Sequence, residues 1–216
     1  MFDRLLRELA AIEVSHRAVN QYSRTVGDLR GNTIRRRNFR LYLEQLHAIG
    51  STILLIGEAP SYRGGRLTGI PFVSETVMLG GVSTTSGEVL GAAHGFRKAT
   101  DGPKLSTEAS ATMVWGTIRS IAPLPLLWNA FPFHPFQEGN SSSNRVPSSA
   151  ELAAGQPFIE SLLRLFPIRQ VVAIGNQAAA SLGQLGIEHV KVRHPSMGGK
   201  NLFVEGMATV SQALRS

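Results

Sequence analysis

Three polar residues in this chain each follow a short apolar run. Glu58 follows Ile53-Leu54-Leu55-Ile56-Gly57, Asn129 follows Leu126-Leu127-Trp128, and His194 follows the stretch 188–193. A carboxylate can hold a proton or face a cation, and a primary amide donates and accepts at once. An imidazole donates or accepts near neutral pH. Brought together, such groups can read the edge of a planar heterocycle and take up charge as a bond to it breaks. Around Glu58 the chain reads Gly57-Glu58-Ala59-Pro60-Ser61-Tyr62-Arg63, then a Gly/Arg-rich turn, then Thr68-Gly69-Ile70-Pro71-Phe72. Each piece alone also has an ordinary reading: a strand-end turn, a turn-forming asparagine, a loop histidine. Their joint placement is what points to chemistry.

Elements must bring these residues together. Apolar runs of four to eight residues ending at glycine or a polar residue read as buried parallel strands. Strands are expected at about 52–57, 124–129, 170–174 and 188–193, with Pro125 suited only to the first residues of its strand. Phe2, Leu5, Leu6, Leu9 and Ile12 recur at helical spacing, and Gly27 and Gly31 mark a break. Arg35-Arg36-Arg37 and Arg40 lead into a second helix, as a solvated face or a phosphate contact. Further helices are expected at 108–120, at 149–166 with the capping-box pair Ser148 and Glu151, from a capping Asn176 to 183, and at 206–214. Residues 80–107 show no clear period and read as a long loop with a short helix. The alternation gives an α/β class: a three-layer α/β/α fold with a central, mainly parallel four-stranded sheet. One domain over 1–216 is expected, with an N-terminal helical extension at about 1–50. The carboxyl ends of parallel strands share one edge, so Glu58, Asn129 and His194 are expected to converge there.

Composition narrows the partners. The formal charge is +7 and the pI about 10.5, which suits a polyanion, nucleic acid first and acidic membrane second. The chain has no cysteine, which excludes disulfides, thiolate zinc, a cysteine-held iron–sulfur cluster and a cysteine nucleophile. No apolar run reaches the roughly 20 residues that span a bilayer. The first residues lack the pattern of a secretory signal, so a cytoplasmic protein without membrane attachment is expected. Neither GxxxxGK[ST] nor a proper GxGxxG occurs, which counts against a nucleotide-binding α/β protein.

These motifs resemble, in order and spacing, those of the uracil-DNA glycosylase superfamily over about residues 52–207. The resemblance implies hydrolysis of the N-glycosidic bond of uracil in DNA to an abasic site by a monofunctional enzyme, with no metal or cofactor. The implied partner is uracil-containing DNA, and a monomer is expected. It implies substrate contacts from Gly57, Ala59, Ser61, Tyr62, Phe72 and Asn129. Phe72 would stack on the extruded base, Asn129 would read its edge, and His194 would contact a uracil oxygen. The best-known branch has an aspartate where this chain has Ala59. A second reading therefore stays open, a protein that binds uracil-containing or abasic DNA with little or no turnover. Another branch also has alanine there and carries an aspartate three residues past the phenylalanine. That count reaches Glu75, the first candidate for the acid that positions water, although a helix N-terminal carboxylate is its structural reading. Glu58 is the second candidate or a ligand of its own loop, and Glu88, Asp101 and Glu108 are further acids. A tyrosine that blocks the thymine methyl in the best-known branch is displaced by one residue here, to Tyr62 after Ser61. Arg63, Arg66, Lys191, Arg193, Ser196 and Lys200 are candidate DNA contacts, and Met197 is either a wedge into the base stack or a core residue. His134 is a second site histidine or part of a loop turn.

Overall fold

The computed structural model describes residues 1–214. Helix α1 (Asp3–Ala11) buries Leu5, Leu6 and Leu9 on one face, and the short strand β1 (Ala18–Val19) follows it. Helix α2 (Leu29–Ile49) starts earlier than the arginine cluster suggests, because Asp28 caps it by accepting the Gly31 N–H at 2.9 Å. Gly31 is therefore inside the helix, where a side chain would run into the Asp28 carboxylate and the Ala99 carbonyl. Strand β2 (Ile53–Gly57) is fully buried, as a central parallel strand must be. Two short helices follow, α3 (Gly65–Thr68) and α4 (Glu75–Gly80), the second capped by the Ser74 hydroxyl. The unreadable stretch after it holds a hairpin, β3 (Val82–Thr84) with β4 (Gly87–Val89), and a 3₁₀ turn at Ala92–His94.

Helix α5 (Ala109–Ile118) leads to strand β5 (Leu126–Asn129), which begins just after Pro125, so that proline owes no ladder hydrogen bond. Strand β6 (His134–Pro135) pairs antiparallel with β1. Helix α6 (Ser149–Leu165) opens on the expected capping box of Ser148 and Glu151. Strand β7 (Gln170–Ile174) runs through Gly175 into α7 (Asn176–Gln184). The cap is Gly175 at φ 90, and Asn176 is already helical. Strand β8 (Val190–Val192) and helix α8 (Lys200–Ala213) complete the described chain, α8 starting six residues earlier than its apolar pattern suggests.

The central sheet has the order β5-β2-β7-β8, all parallel, in a three-layer α/β/α arrangement. At its edge, the outward Leu127 N–H donates to the Tyr42 hydroxyl at 2.8 Å, so α2 closes an otherwise open strand. The Trp128 ring stacks on Phe39 of the same helix, centroids 5.3 Å apart. One continuous apolar cluster runs from Phe2 through all four central strands to Val210, and the N-terminal helices are part of it. Among the described residues, no helix is long and apolar enough to cross a membrane.

Candidate active site

The register fixes the first corner of the site. Gly57 and Asn129 are partners at the carboxyl ends of β2 and β5. Gly57 has no side chain because the Phe72 ring fills that space. A Cβ there would collide with the ring and sit 2.9 Å from Asn129 Oδ1. Phe72 reaches this position through a left-handed backbone, φ 55, with its carbonyl accepting the Trp115 Nε1–H at 3.0 Å. Asn129 is 2% exposed, and among the described residues its amide bonds to no protein group. Both side chains line a cavity of about 540 Å³. The amide opens to this cavity, where its donors and acceptor are free for a ligand.

The second corner comes from β7 and β8. The Gly175 N–H donates to Val192 O at 2.9 Å, and the His194 Cβ would lie 3.1 Å from a side chain at Gly175. His194 Nδ1 accepts from the Ser196 backbone N–H at 3.2 Å and lies 2.7 Å from the Ser196 hydroxyl. A backbone N–H can only donate, so Nδ1 carries no proton and the neutral ring is the Nε2–H tautomer. Burial, with the nearby Arg193 charge, lowers the His194 pKa and favours that neutral form. His194 thus offers a donor on the cavity side. Met197, two residues after the proline, is 91% exposed with φ 53, so it is not a core residue.

Two carboxylates line the cavity, Glu58 and Glu108. Burial raises the pKa of Glu58, and its Oε1 is buried without a partner among the described residues. Burial also raises Glu108, with the Ser61 hydroxyl pulling it partly back. Glu75 does not line the cavity, contrary to the count along the chain. It is 2% exposed at the first residue of α4. One oxygen accepts from Thr100 Oγ1 at 2.5 Å and the other from the Ser106 N–H at 2.9 Å. Its burial away from the cavity, with each oxygen turned to a protein donor, keeps it from the water there. Counting along a chain does not tell which side of the turn a carboxylate takes.

The remaining expectations divide similarly. Ala59, Ser61, Arg193 and Ser196 line the cavity; Tyr62 and Arg66 do not. The Tyr62 N–H donates to Asn144 Oδ1 at 3.1 Å, and the Arg63 guanidinium lies 5.5 Å from its ring centre. Arg66 donates to the Ser141 carbonyl at 2.5 Å, which commits it to a loop contact. Lys200 lies on a different groove, between α5 and α8. Lys191 reaches Asn176 Oδ1 at 3.4 Å, and Arg63 and Arg193 are exposed. His134 is fully buried, its Nδ1 2.8 Å from the Pro60 carbonyl, so it holds the loop from beneath.

Sequence reasoning missed Asn144 and Arg145, which also line the cavity. Arg145 makes two 2.7 Å hydrogen bonds to Glu151 and one of 3.1 Å to the Phe136 carbonyl. Burial alone would raise the Glu151 pKa, but Arg145 and the Ser148 N–H hold it at about 2. The signal was Glu151, which serves the capping box and the guanidinium together.

Strand ends therefore deliver the Glu58 carboxyl, an unpaired amide and an imidazole donor to one cavity, and the segments around Phe72 and Glu108 add an aromatic face and a second carboxyl. This defines an α/β protein shaped to take a flat hydrogen-bonding ring at the carboxyl edge of its sheet. The family model of the uracil DNA glycosylase superfamily matches residues 44–212, and the chain belongs to that superfamily. Among solved structures, the crystal structure of wild-type Pedobacter heparinus SMUG2 is similar with a TM-score of 0.61. The match covers 99% of this chain and 97% of that one at 15% identity, a likeness of fold. No curated protein matches the sequence.

Proposed function

We propose that this chain is a monofunctional uracil-DNA glycosylase that hydrolyses the N-glycosidic bond of uracil in DNA and leaves an abasic site. The observation that carries the reading is the meeting of the Phe72 ring and the unpaired Asn129 amide over Gly57, with the His194 donor facing the same cavity. The Asn129 amide can accept from the uracil N3–H while donating to the neighbouring carbonyl. Phe72 offers a stacking face to a base taken out of the helix. As the bond breaks, negative charge grows on the base and positive charge on the sugar. His194 Nε2–H donates to the oxygen that gains charge, as in an oxyanion hole. Glu58 faces the sugar, whose growing positive charge favours its ionised form. The exposed Arg63 and Arg193 supply phosphate contacts, each adding about 0.9 to the salt slope on duplex DNA. All of these groups come from one chain, so a monomer suffices.

The test is single-turnover cleavage of a uracil-containing oligonucleotide beside a matched thymine strand, with alkali to open abasic sites. Cleavage of the uracil strand alone is expected. Tight, salt-dependent binding without cleavage would overturn the enzyme reading in favour of a binding protein. Ala59, which offers no acid to water, would then be the residue responsible.

A further inference from the structure

We propose that Glu108 is the general base of this cavity, holding the attacking water together with Ser61, and that Glu75 positions it from behind. The proposal rests on the glycosylase reading and adds a residue to it.

Glu108 precedes α5 but does not cap it: its side chain makes no hydrogen bond to the helix, which leaves the carboxylate to the cavity. The space it occupies exists because residue 64 is glycine, since a Cβ there would collide with Glu108 Oε2 and lie 3.1 Å from Ser61 Oγ. Ser61 Oγ accepts the Gly64 N–H at 3.0 Å, so its own proton is free to point at the carboxylate. The hydroxyl and the carboxylate therefore stand near each other, both against the space a Gly64 side chain would take, on the wall that also carries Ala59 and Pro60.

The segment that delivers Glu108 is tied down by Glu75. Glu75 receives Thr100 Oγ1–H and the Ser106 N–H. Ser106 in turn accepts from the Thr76 N–H at 3.1 Å and donates from its hydroxyl to Arg63 O at 2.7 Å. Two residues later the chain reaches Glu108. Glu75 is therefore a positioning residue, and the carboxylate it orients is the one in the cavity.

The C1′–N1 electron pair leaves with the uracil, whose negative charge rests on the donors of His194 and Asn129. The water oxygen bonds to C1′, and the proton it loses passes to the Glu108 carboxylate. The uracil anion later takes a proton from solvent. Glu58, Arg145, Arg193 and His194 are the other charged or titratable groups facing Glu108 across the cavity.

The experiment is the single-turnover rate on a uracil duplex across about pH 5 to 9, for wild type, Glu108→Gln, Ser61→Ala, Glu75→Ala and Glu75→Gln. Binding of the same duplex is measured in parallel. Glu108→Gln should lower the rate by about 10²–10⁴-fold with binding retained. The fall of the wild-type rate toward acid should lose its Glu108 part. Ser61→Ala should move that fall to higher pH, because the hydroxyl no longer lowers the Glu108 pKa. Glu75→Ala should slow the reaction and change its pH profile, with Glu75→Gln closer to wild type. A wild-type rate and pH profile in Glu108→Gln would overturn the proposal and leave the glycosylase reading standing. An unshifted profile in Ser61→Ala would overturn the pairing even if Glu108→Gln failed to fold. A wild-type protein inert on uracil DNA would overturn both.

Discussion

The two loops that face each other across the cavity are built in opposite ways. The loop 57–73 is held from every side. Its carbonyls accept from Arg35 Nε at Leu67 (3.1 Å), from Asn38 at Thr68 (3.2 Å) and from the Tyr22 hydroxyl at Gly69 (2.9 Å). The fully buried Thr68 hydroxyl lies 2.8 Å from Val73 O and accepts the Ile70 N–H at 3.1 Å. The loop 193–199 is held mostly by itself, through His194 with Ser196 and the Gly199 N–H to Ser196 O. Outside hydrogen bonds make a wall rigid, whereas local ones leave a turn free to move as a unit. On the glycosylase reading, the first loop would select shape and the second would adapt to DNA.

The contrast can be broken first at its functional extreme. His194→Ala should lower single-turnover excision by roughly 10²–10³-fold while barely moving the melting temperature. A large loss of stability instead would mean that the second loop is structural after all. Glu151→Gln should come next. It leaves Arg145 without its carboxylate and should cost roughly 2 kcal/mol, between a surface pair and a buried one. The Glu151 pKa is depressed in the fold, from 4.5 to about 2, so its contribution is complete above the unfolded value. It drains away as pH falls through that window. Acid melting of the variant should therefore be flatter than wild type there. In the rigid loop, Thr68→Val should cost about 1–3 kcal/mol, because the buried Ile70 N–H loses its acceptor. The smallest effect on stability is expected for Met197→Ala, within about 0.5 kcal/mol, with weaker capture of uracil duplex as the readout. A clear destabilisation there would contradict its exposure.

How far the sequence could be read depended on the range of the interaction. The strands 53–57 and 170–174 were legible because burial on both faces leaves a local signature, an apolar run stopped by glycine. The meeting of residues 58, 129 and 194 followed from parallel topology alone. The hairpin and 3₁₀ turn at 82–94 were not legible, because segments this short carry no period. The arginine cluster misled for another reason. Arg35 is almost fully buried, bonded to Asn32 Oδ1 at 2.8 Å and paired with Asp28 at 3.2 Å, while Arg37 is exposed. A run of like residues hides which one turns inward. The acids show the same limit. Glu75 and Glu108 are 33 positions apart in the chain, and only the bridge through Ser106 reveals that one supports the segment carrying the other.

Phe72 carries a further consequence. A non-glycine residue with φ 55 holds a conformation that costs of order 1–3 kcal/mol, and glycine would adopt it freely. Trp115 and the gap at Gly57 keep the ring where it is despite that cost. Glycine here would relax the turn but remove a ring packed against the core, a loss of about 3–5 kcal/mol that exceeds the strain relieved. A protein selected in the laboratory for heat resistance should therefore keep a large ring at residue 72, because durability and the proposed stacking face ask for the same side chain.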